Sequence, residues 1–279
     1  MTLNNTEEAE DGGVDVSNEI IMKVESVSIA FGGLQALLDV SVSVRSDEIL
    51  GLIGPNGAGK SVLLNCINGI YVPTKGDIYF EGQKVTGFSP ERLTQMGIGR
   101  SFQQIELFPH MTVLDNILSG RHCRMRNGIF SSGCYWGLAK REEIKAREII
   151  EGIVDFLELY PYRKVKVGAL SYGIQKIVGL GRALAMGPKI LLLDEIASGL
   201  NREEKEDMAR FLLRIHHVMH IPIVWVEHDL QMIKEIANHL VCLSYGCKLA
   251  DGSPEQVIND PKVMEAYTGI SKSMPQPNA

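Results

Sequence analysis

Short apolar runs alternate with longer amphipathic stretches along most of the chain. The run at residues 49–53 ends at Gly54 and has the continuous apolar character of a parallel strand buried on both faces. Residues 142–159 place apolar side chains about 3.6 residues apart, which predicts a helix. Further strands are predicted at residues 77–80, 98–102, 190–193, 221–226 and 240–244, and further helices at 60–69, 172–186 and 202–217. Strands that alternate with helices predict a mostly parallel sheet with both faces covered.

The helical stretch in the middle of the chain differs in character from what precedes it. From Ile20 onward the chain shows short β-rich runs broken by glycines, whereas residues 112–187 are helical in pattern. We therefore expect a helical subdomain inserted into a sheet-forming core. Residues 1–18 are polar and acidic, which predicts a disordered or loosely held tail.

A glycine-rich loop separates the first buried strand from the helix that follows it. The pattern G-x-x-x-x-G-K-[S/T] is matched by Gly54, Pro55, Asn56, Gly57, Ala58, Gly59, Lys60 and Ser61. Glycines let successive backbone N–H groups point at phosphate oxygens, and the helix N-terminus adds the positive end of its dipole. We expect Lys60 to reach the β and γ phosphates of ATP and the Ser61 hydroxyl to ligate Mg²⁺. A glycine-rich turn without a ligand is the alternative, and the strand–loop–helix context argues against it.

Two carboxylates end another predicted strand. The apolar run at residues 190–193 is followed directly by Asp194 and Glu195. The carboxyl ends of parallel strands open onto one crevice, so both side chains are expected near the phosphate loop. Asp194 would hold Mg²⁺ directly or through water, and Glu195 would polarise the attacking water as general base. Without the phosphate loop, a solvated acidic turn would be the simpler interpretation.

Composition and charge restrict the class of protein. The chain has 279 residues, 45% of them hydrophobic, which suffices for one large or two small domains. Its 28 basic and 34 acidic residues give a net charge of −6, which argues against bulk nucleic-acid binding. The sequence predicts neither a signal peptide nor a membrane span, and its five scattered cysteines predict reduced thiols in the cytosol. Any membrane role is therefore expected to come through a partner.

Over about residues 22–270 the sequence resembles the ABC ATPases. Besides the two motifs above, residues 170–175 (LSYGIQ) look like the family signature L-S-G-G-Q, with departures at Tyr172 and Ile174. Ser171 and Gly173 keep a hydroxyl and a bare backbone at a helix N-terminus, which suit a γ-phosphate. In the family this segment faces the nucleotide of the opposite subunit. A serine that only caps the helix is the simpler interpretation of the same geometry.

The resemblance implies roles for residues that carry little signal alone. Gln103 resembles the glutamine that contacts Mg²⁺ or water and senses the membrane partner, and His228 resembles the switch histidine that hydrogen-bonds the γ-phosphate. Phe31 aligns with the aromatic residue that stacks on adenine. Taken alone, Gln103 would be an ordinary surface residue, His228 a structural histidine and Phe31 a core residue. Asn201 and Ile196 stand where the family commonly has aspartate and proline.

The fold that this resemblance implies is α/β, with a P-loop nucleotide-binding core, an antiparallel β edge and an inserted α-helical subdomain. The insertion is expected at about residues 104–178. Residues 19–272 would form a single ABC ATPase domain, with a flexible tail at residues 273–279. Two such domains would sandwich two ATP molecules in a two-fold or pseudo-two-fold dimer.

The resemblance also implies a transport function. Residues 31–36, 170–173 and 251–267 look like the ATPases of branched-chain amino acid importers. We expect a subunit that hydrolyses ATP on the inner face of the cell membrane and powers uptake of these or related small solutes. Its expected partners are membrane permease subunits, a second similar ATPase subunit or a second copy of itself, and indirectly a periplasmic or extracellular solute-binding protein, with no nucleic acid.

Three alternatives to the importer remain. The chain would be the ABC ATPase of an exporter, the ATPase of a soluble nucleic-acid or ribosome-linked system, or an ATP-binding regulatory module without turnover. Paired cassettes or a long coiled coil, which are usual in the soluble systems, are not evident in the sequence. Intact Lys60, Asp194, Glu195 and His228 argue against a module without turnover.

Overall fold

The computed structural model of the protein describes residues 19–101, 107–121 and 138–268, with the side chains of residues 138–143 excepted. The tails predicted at residues 1–18 and 273–279 lie outside the described residues. Within the described ranges, no helix has both the length and the apolar character needed to cross a membrane.

The described residues form strands and helices that alternate along the chain. The strands are Ile20–Phe31 (β1), Leu34–Arg45 (β2), Ile49–Ile53 (β3), Lys75–Phe80 (β4), Gln83–Lys84 (β5), Ile98–Ser101 (β6), Ile190–Asp194 (β7), Ile223–Val226 (β8), His239–Ser244 (β9) and Cys247–Gly252 (β10). The helices are Lys60–Ile67 (α1), Pro90–Met96 (α2), Val113–Arg121 (α3), Leu138–Phe156 (α4), Tyr172–Ala185 (α5), Arg202–Met219 (α6), Leu230–Ile236 (α7), Pro254–Ile258 (α8) and Pro261–Thr268 (α9).

A six-stranded sheet in the order β10-β9-β3-β8-β7-β6 forms the centre of the fold. Its strands run parallel except β10, which pairs antiparallel with β9 at one edge. Alternate residues of β3 enter two different cores, Ile49 and Ile53 on one face and Leu50 and Leu52 on the other. A strand covered on both faces has no polar side, which explains the continuous apolar runs in the sequence. The predicted mostly parallel sheet is confirmed.

A second sheet, antiparallel and four-stranded, covers one face of the central sheet. Its strand order is β2-β1-β4-β5. Inward-facing side chains such as Met22 and Phe80 share a core with Leu50 and Leu52 of β3, and α1 and α2 contribute to the same core. The antiparallel β edge of the expected fold class is therefore present.

Helices cover the opposite face of the central sheet. Helices α5, α6 and α7 pack there, and α3 and α4 pack against α5. Helices α3 and α5 approach closely because glycines face the contact: a Cβ on Gly120 would lie 2.2 Å from the Arg182 carbonyl oxygen. The helical character of the middle of the chain is confirmed. The subdomain bounds at about residues 104–178 and the single domain at residues 19–272 stay predictions.

The strand predicted at residues 221–226 and the helix predicted at residues 60–69 are shorter in the structure, each for a local reason. The strand predicted at residues 221–226 begins at Ile223, since Pro222 has no N–H to donate and only its carbonyl accepts, from the Leu191 N–H. The helix predicted at residues 60–69 ends at Ile67, and Gly69 follows with a φ of 73°. That left-handed conformation is typical of the end of a helix.

The close packing of β3 against the helices can be tested at Gly51. A Cβ at Gly51 would lie 2.3 Å from Leu240 Cδ2 and 2.8 Å from Ile233 Cδ1, and both neighbours are fully buried. We expect Gly51→Ala to lower the free energy of unfolding by about 1–3 kcal/mol, because the neighbours must leave their preferred rotamers.

Gly152 in α4 offers the matched control. It is exposed, with no atom within 4 Å of the added Cβ. Gly152→Ala should raise the free energy of unfolding by about 0.5–1 kcal/mol, since alanine favours the helix. Denaturant unfolding of the two variants measures the contrast, and equal effects would contradict the tight contact at Gly51.

Candidate active site

The glycine-rich loop at residues 54–61 connects the carboxyl end of β3 to the first turn of α1. Gly54 has a φ of 143°, and a Cβ there would lie 2.1 Å from the carbonyl oxygen of Leu243. Gly59 has a φ of 101°, and its Cβ would lie 2.7 Å from the Ala36 carbonyl oxygen. Both positions therefore require glycine, and together they turn the loop back over the end of the sheet.

Lys60 folds back over this loop. Its Nζ donates to the carbonyl oxygen of Gly54 at 2.7 Å and to that of Pro55 at 3.1 Å. Burial lowers the pKa of Lys60, while Glu195 and Asp194 nearby act in the opposite direction. Among the described residues, this buried amine donates to backbone oxygens of the loop.

Asp194 meets Ser61 at the base of the loop. The Ser61 hydroxyl donates to Asp194 Oδ1 at 3.5 Å. From β6, Arg100 donates to Asp194 Oδ2 at 3.2 Å and to Asn65 Oδ1 at 2.6 Å. Burial raises the pKa of Asp194, and the Arg100 guanidinium opposes that shift. Two parts of the sequence separated by more than a hundred residues thus place oxygen atoms side by side.

These oxygens fit the preferences of Mg²⁺. Mg²⁺ binds hard oxygen ligands and commonly uses one or two protein groups together with substrate phosphates. Ser61 and Asp194 supply such a pair next to the phosphate loop. Among the described residues, no group of three or more His, Cys, Asp or Glu side chains could hold a metal ion by itself. The pair therefore suits a metal that arrives with the nucleotide.

Glu195 and His228 form the second polar pair of the site. His228 Nε2 and Glu195 Oε1 are hydrogen-bonded at 2.6 Å. Glu195 has a φ of 49°, in the left-handed region that residues other than glycine adopt rarely. Its N–H donates to the Val226 carbonyl oxygen at 2.9 Å. Such backbone strain is concentrated at functional sites in proteins. The turn after β7 thus aims Glu195 at the loop that follows β8.

One cavity of about 440 Å³ brings most of the predicted residues together. It is lined by residues 56–62 with Phe31, Glu195, His228 and Tyr245. Phe31 is half-exposed and rests edge-on against Tyr71, with ring centroids 5.0 Å apart, so it is not a core residue. A larger cavity of about 740 Å³ lies between the antiparallel sheet and β10 and contains none of these groups.

Ser171 and Gly173 lie at the N-terminus of α5 and do not line the cavity at the phosphate loop. The Ser171 hydroxyl accepts from the Ile174 N–H at 3.4 Å, so the capping interpretation is confirmed. A Cβ at Gly173 would lie 2.3 Å from Glu204 Oε1 at the start of α6. The ring of Tyr172 lies near Gly199, in the turn that leads to α6. Gln103 lies outside the described residues.

Glu227 is a structural member of the site that the sequence motifs did not reveal. Its side chain is buried, with Oε1 accepting from the Ala197 N–H at 2.8 Å and Oε2 from the His228 N–H at 3.2 Å. It therefore ties the turn after Glu195 to the loop that carries His228. Burial raises its pKa, and the two backbone donors oppose the shift. An acid placed directly between an apolar strand and His228 was the available signal.

A phosphate loop after a buried parallel strand, with an acid-ended parallel strand in the same sheet, defines the class of P-loop nucleotide hydrolases. The sequence model of the ABC transporter family matches residues 37–198. The model of the branched-chain amino acid ATP-binding cassette transporter matches residues 247–271. The chain belongs to the ABC transporter family, and it is an ABC ATPase.

Individual relatives agree with this assignment. The chain is 34% identical to the high-affinity branched-chain amino acid transport ATP-binding protein BraF of Pseudomonas aeruginosa, over 89% of this chain and 98% of the relative. LivG of Escherichia coli K12, described in the same words, is 32% identical over 89% and 98% of the two chains. The crystal structure of the ADP conformation of MJ1267, an ATP-binding cassette of an ABC transporter, superposes with a TM-score of 0.80 at 34% identity, covering 90% of this chain and 99% of that one.

The role of Glu227 can be tested by Glu227→Ala. The substitution leaves the buried N–H of Ala197 and the partly buried N–H of His228 without their acceptor. The buried N–H alone should cost about 1–3 kcal/mol, so we expect marked destabilisation. Glu235→Ala, at an exposed position of α7, should leave the free energy of unfolding nearly unchanged.

The pH dependence of the Glu227→Ala effect checks the direction of the pKa shift. Since the pKa of Glu227 is raised in the folded state, its protonated form stabilises the protein at low pH, and this contribution is lost as pH rises through the folded pKa. The difference in free energy of unfolding between wild type and variant should shrink as pH rises from about 4.5. A difference that grows with pH would contradict the shift.

Proposed function

We propose that the chain binds MgATP at residues 54–61 and hydrolyses it with Glu195 as general base. The observation that carries the proposal is the meeting of Lys60, the Ser61–Asp194 pair and the Glu195–His228 pair at one cavity. ATP phosphates would accept from the loop N–H groups and from Lys60, which would leave its two backbone acceptors. The exposed ring of Phe31 at the cavity would stack on the adenine.

Ser61 and Asp194 would hold Mg²⁺, which when bound neutralises charge on the phosphate oxygens. Glu195 would accept the proton of the water that attacks the γ-phosphorus, while the bond to the β,γ-bridging oxygen breaks. His228, now hydrogen-bonded to Glu195, would turn to the γ-phosphate. Gln103 would contact the metal or this water, as the family resemblance implies.

The proposed site is completed by a second subunit. Ser171 is exposed at a helix N-terminus, a position suited to a phosphate, yet it lies outside the cavity of its own chain. In a two-fold or pseudo-two-fold dimer, Ser171 and Gly173 of each chain would face the nucleotide of the other. ATP would favour closure because only the closed dimer makes both sets of contacts.

Glu195→Gln tests the catalytic assignment. The amide cannot accept the proton from water, so hydrolysis should slow by about 10²–10⁴-fold while MgATP still binds. Without turnover, the variant should accumulate as an ATP-bound dimer in size-exclusion chromatography. Glu235→Gln on exposed α7 is the control and should hydrolyse ATP normally. Near-normal turnover of Glu195→Gln would remove Glu195 from the base role.

The Glu195→Gln variant also serves to test whether a second subunit completes the ATP site. Ser171→Arg added to Glu195→Gln should prevent the dimer, because a bulky cation enters the subunit contact, and it should leave ATP binding by the monomer intact. Val218→Arg, at an exposed position of α6, adds the same charge elsewhere and should leave the dimer in place. Loss of monomer binding in the Ser171 variant would instead mark the segment as part of its own chain's site.

We also propose that this ATPase powers import of branched-chain amino acids or related small solutes through separate permease subunits. The match at residues 247–271 and the names of BraF and LivG support this cargo class. The working complex would contain a second similar ATPase, or a second copy of this chain, on the inner face of the membrane. A periplasmic or extracellular solute-binding protein would deliver the cargo without touching this chain.

Uptake assays test the cargo. Deleting the gene should reduce uptake of labelled leucine if the cargo is a branched-chain amino acid. It should reduce uptake of labelled urea or of a simple aromatic acid if the cargo is a related small solute. Wild-type protein should restore uptake, and the Glu195→Gln variant, produced at equal level, should not. Unchanged uptake of all three solutes together with loss of an export phenotype would overturn the importer proposal and leave the ATPase assignment intact.

A further inference from the structure

The backbone N–H of Gly54 is hydrogen-bonded to a side chain of α9, the last helix of the described residues. The β3–β9 ladder extends to the pair Ile53 and Cys242, and Gly54 is the first residue beyond it. There the Gly54 N–H donates to the hydroxyl oxygen of Tyr267 at 2.7 Å, across 213 positions of sequence. A residue of α9 therefore supplies the acceptor at the point where the phosphate loop leaves the sheet.

Tyr267 is well fixed for this contact. Its ring is half-buried against the core that contains Cys242, Val257 and Val263. Burial raises the pKa of Tyr267 to about 12, so the hydroxyl stays protonated at neutral pH. On the other side, the α-carbon of Gly54 is packed against the Leu243 carbonyl oxygen, where no Cβ fits. Gly54 is thus held between the end of β9 and the Tyr267 hydroxyl.

The contact gains importance when a nucleotide binds. Lys60 Nζ also holds this end of the loop, because it donates to the carbonyl oxygens of Gly54 and Pro55. When Lys60 turns to a phosphate, it gives up those bonds, and the Tyr267 hydroxyl still holds the Gly54 N–H. A contact that stabilises the nucleotide-bound state more than the free state changes the affinity for the nucleotide. A contact that stabilises both states equally changes only the free energy of unfolding.

We propose that Tyr267 is a positioning residue for the phosphate loop, which keeps Gly54 in place while Lys60 engages the nucleotide. The inference rests on the proposed nucleotide site at residues 54–61. Coupling between two sites is reciprocal, so MgATP bound at the loop should in turn stabilise the docking of α9. The segment at residues 247–271, which the branched-chain family model matches, thereby acquires a direct connection to the ATP site.

Tyr267→Phe in the full chain tests the proposal, because it removes only the hydroxyl. We expect the Kd for MgATP, measured by calorimetry, to rise roughly tenfold, as for the loss of one partly buried hydrogen bond. The KM should rise in parallel, while kcat at saturating ATP should change by less than about twofold.

Val263→Ala is the matched control for a purely structural effect. Val263 lies on the same helix in the same core, and its side chain has no hydrogen-bonding atom. This variant should lower the midpoint of thermal unfolding without nucleotide and keep the wild-type Kd. Tyr160→Phe, at an exposed tyrosine, should change neither quantity.

The outcomes separate this inference from the proposed site. A wild-type Kd in Tyr267→Phe, alongside lost binding in Lys60→Ala, would overturn the positioning role and leave the nucleotide site standing. Normal binding in Lys60→Ala would overturn the site itself. Should Tyr267→Phe not fold, amide exchange of the wild type decides: MgATP should slow exchange at residues 261–268, and unchanged exchange there would refute the coupling.

Discussion

Gly54 leaves β3 with its α-carbon packed against the Leu243 carbonyl oxygen, in a space where no side chain fits. This close approach turns the chain out of the sheet and allows residues 54–61 to wrap over its end. Lys60 then reaches back to the Gly54 carbonyl, and Ser61 comes beside Asp194 of β7. The loop thus begins at a glycine that is held by this backbone contact and by the Tyr267 hydroxyl, which accepts from the Gly54 N–H.

Burial shifts the pKa values of two charged groups of the site in opposite directions. It lowers the pKa of Lys60 and raises that of Asp194, so each group is held toward its neutral form. Arg100 offsets part of this effect at Asp194. In the proposed MgATP complex, an anionic phosphate beside Lys60 and a cation beside Asp194 would favour the charged forms again. A phosphate anion and a metal cation together would therefore complete the site electrostatically.

The Glu195–His228 pair is linked to the parts of the chain that would meet a second subunit in the proposed dimer. Glu227 connects the turn after Glu195 to the His228 loop through two backbone hydrogen bonds. The same turn continues to Gly199, which lies against the ring of Tyr172 next to Ser171. A shift of Glu195 or His228 on hydrolysis would therefore move the surface that carries Ser171. Such a connection suits an enzyme whose chemistry must alter the contact between two subunits.

The sequence alone determined the parts of this protein that depend on local spacing. Continuous apolar runs specified β3 and β7, because strands buried on both faces have no polar side, and the spacing of residues 54–61 specified the loop. Tertiary structure alone revealed the contacts of Arg100 with Asp194, of Glu227 with Ala197 and of Tyr267 with Gly54, which span 94, 30 and 213 positions. Their contacts are made by strand order and by the docking of α9, which no local pattern encodes. The tertiary structure also decided that Ser171 lies outside the cavity of its own chain. The N-terminus of α5 lies against the start of α6, and this contact, rather than the sequence motif, sets where the Ser171 hydroxyl lies.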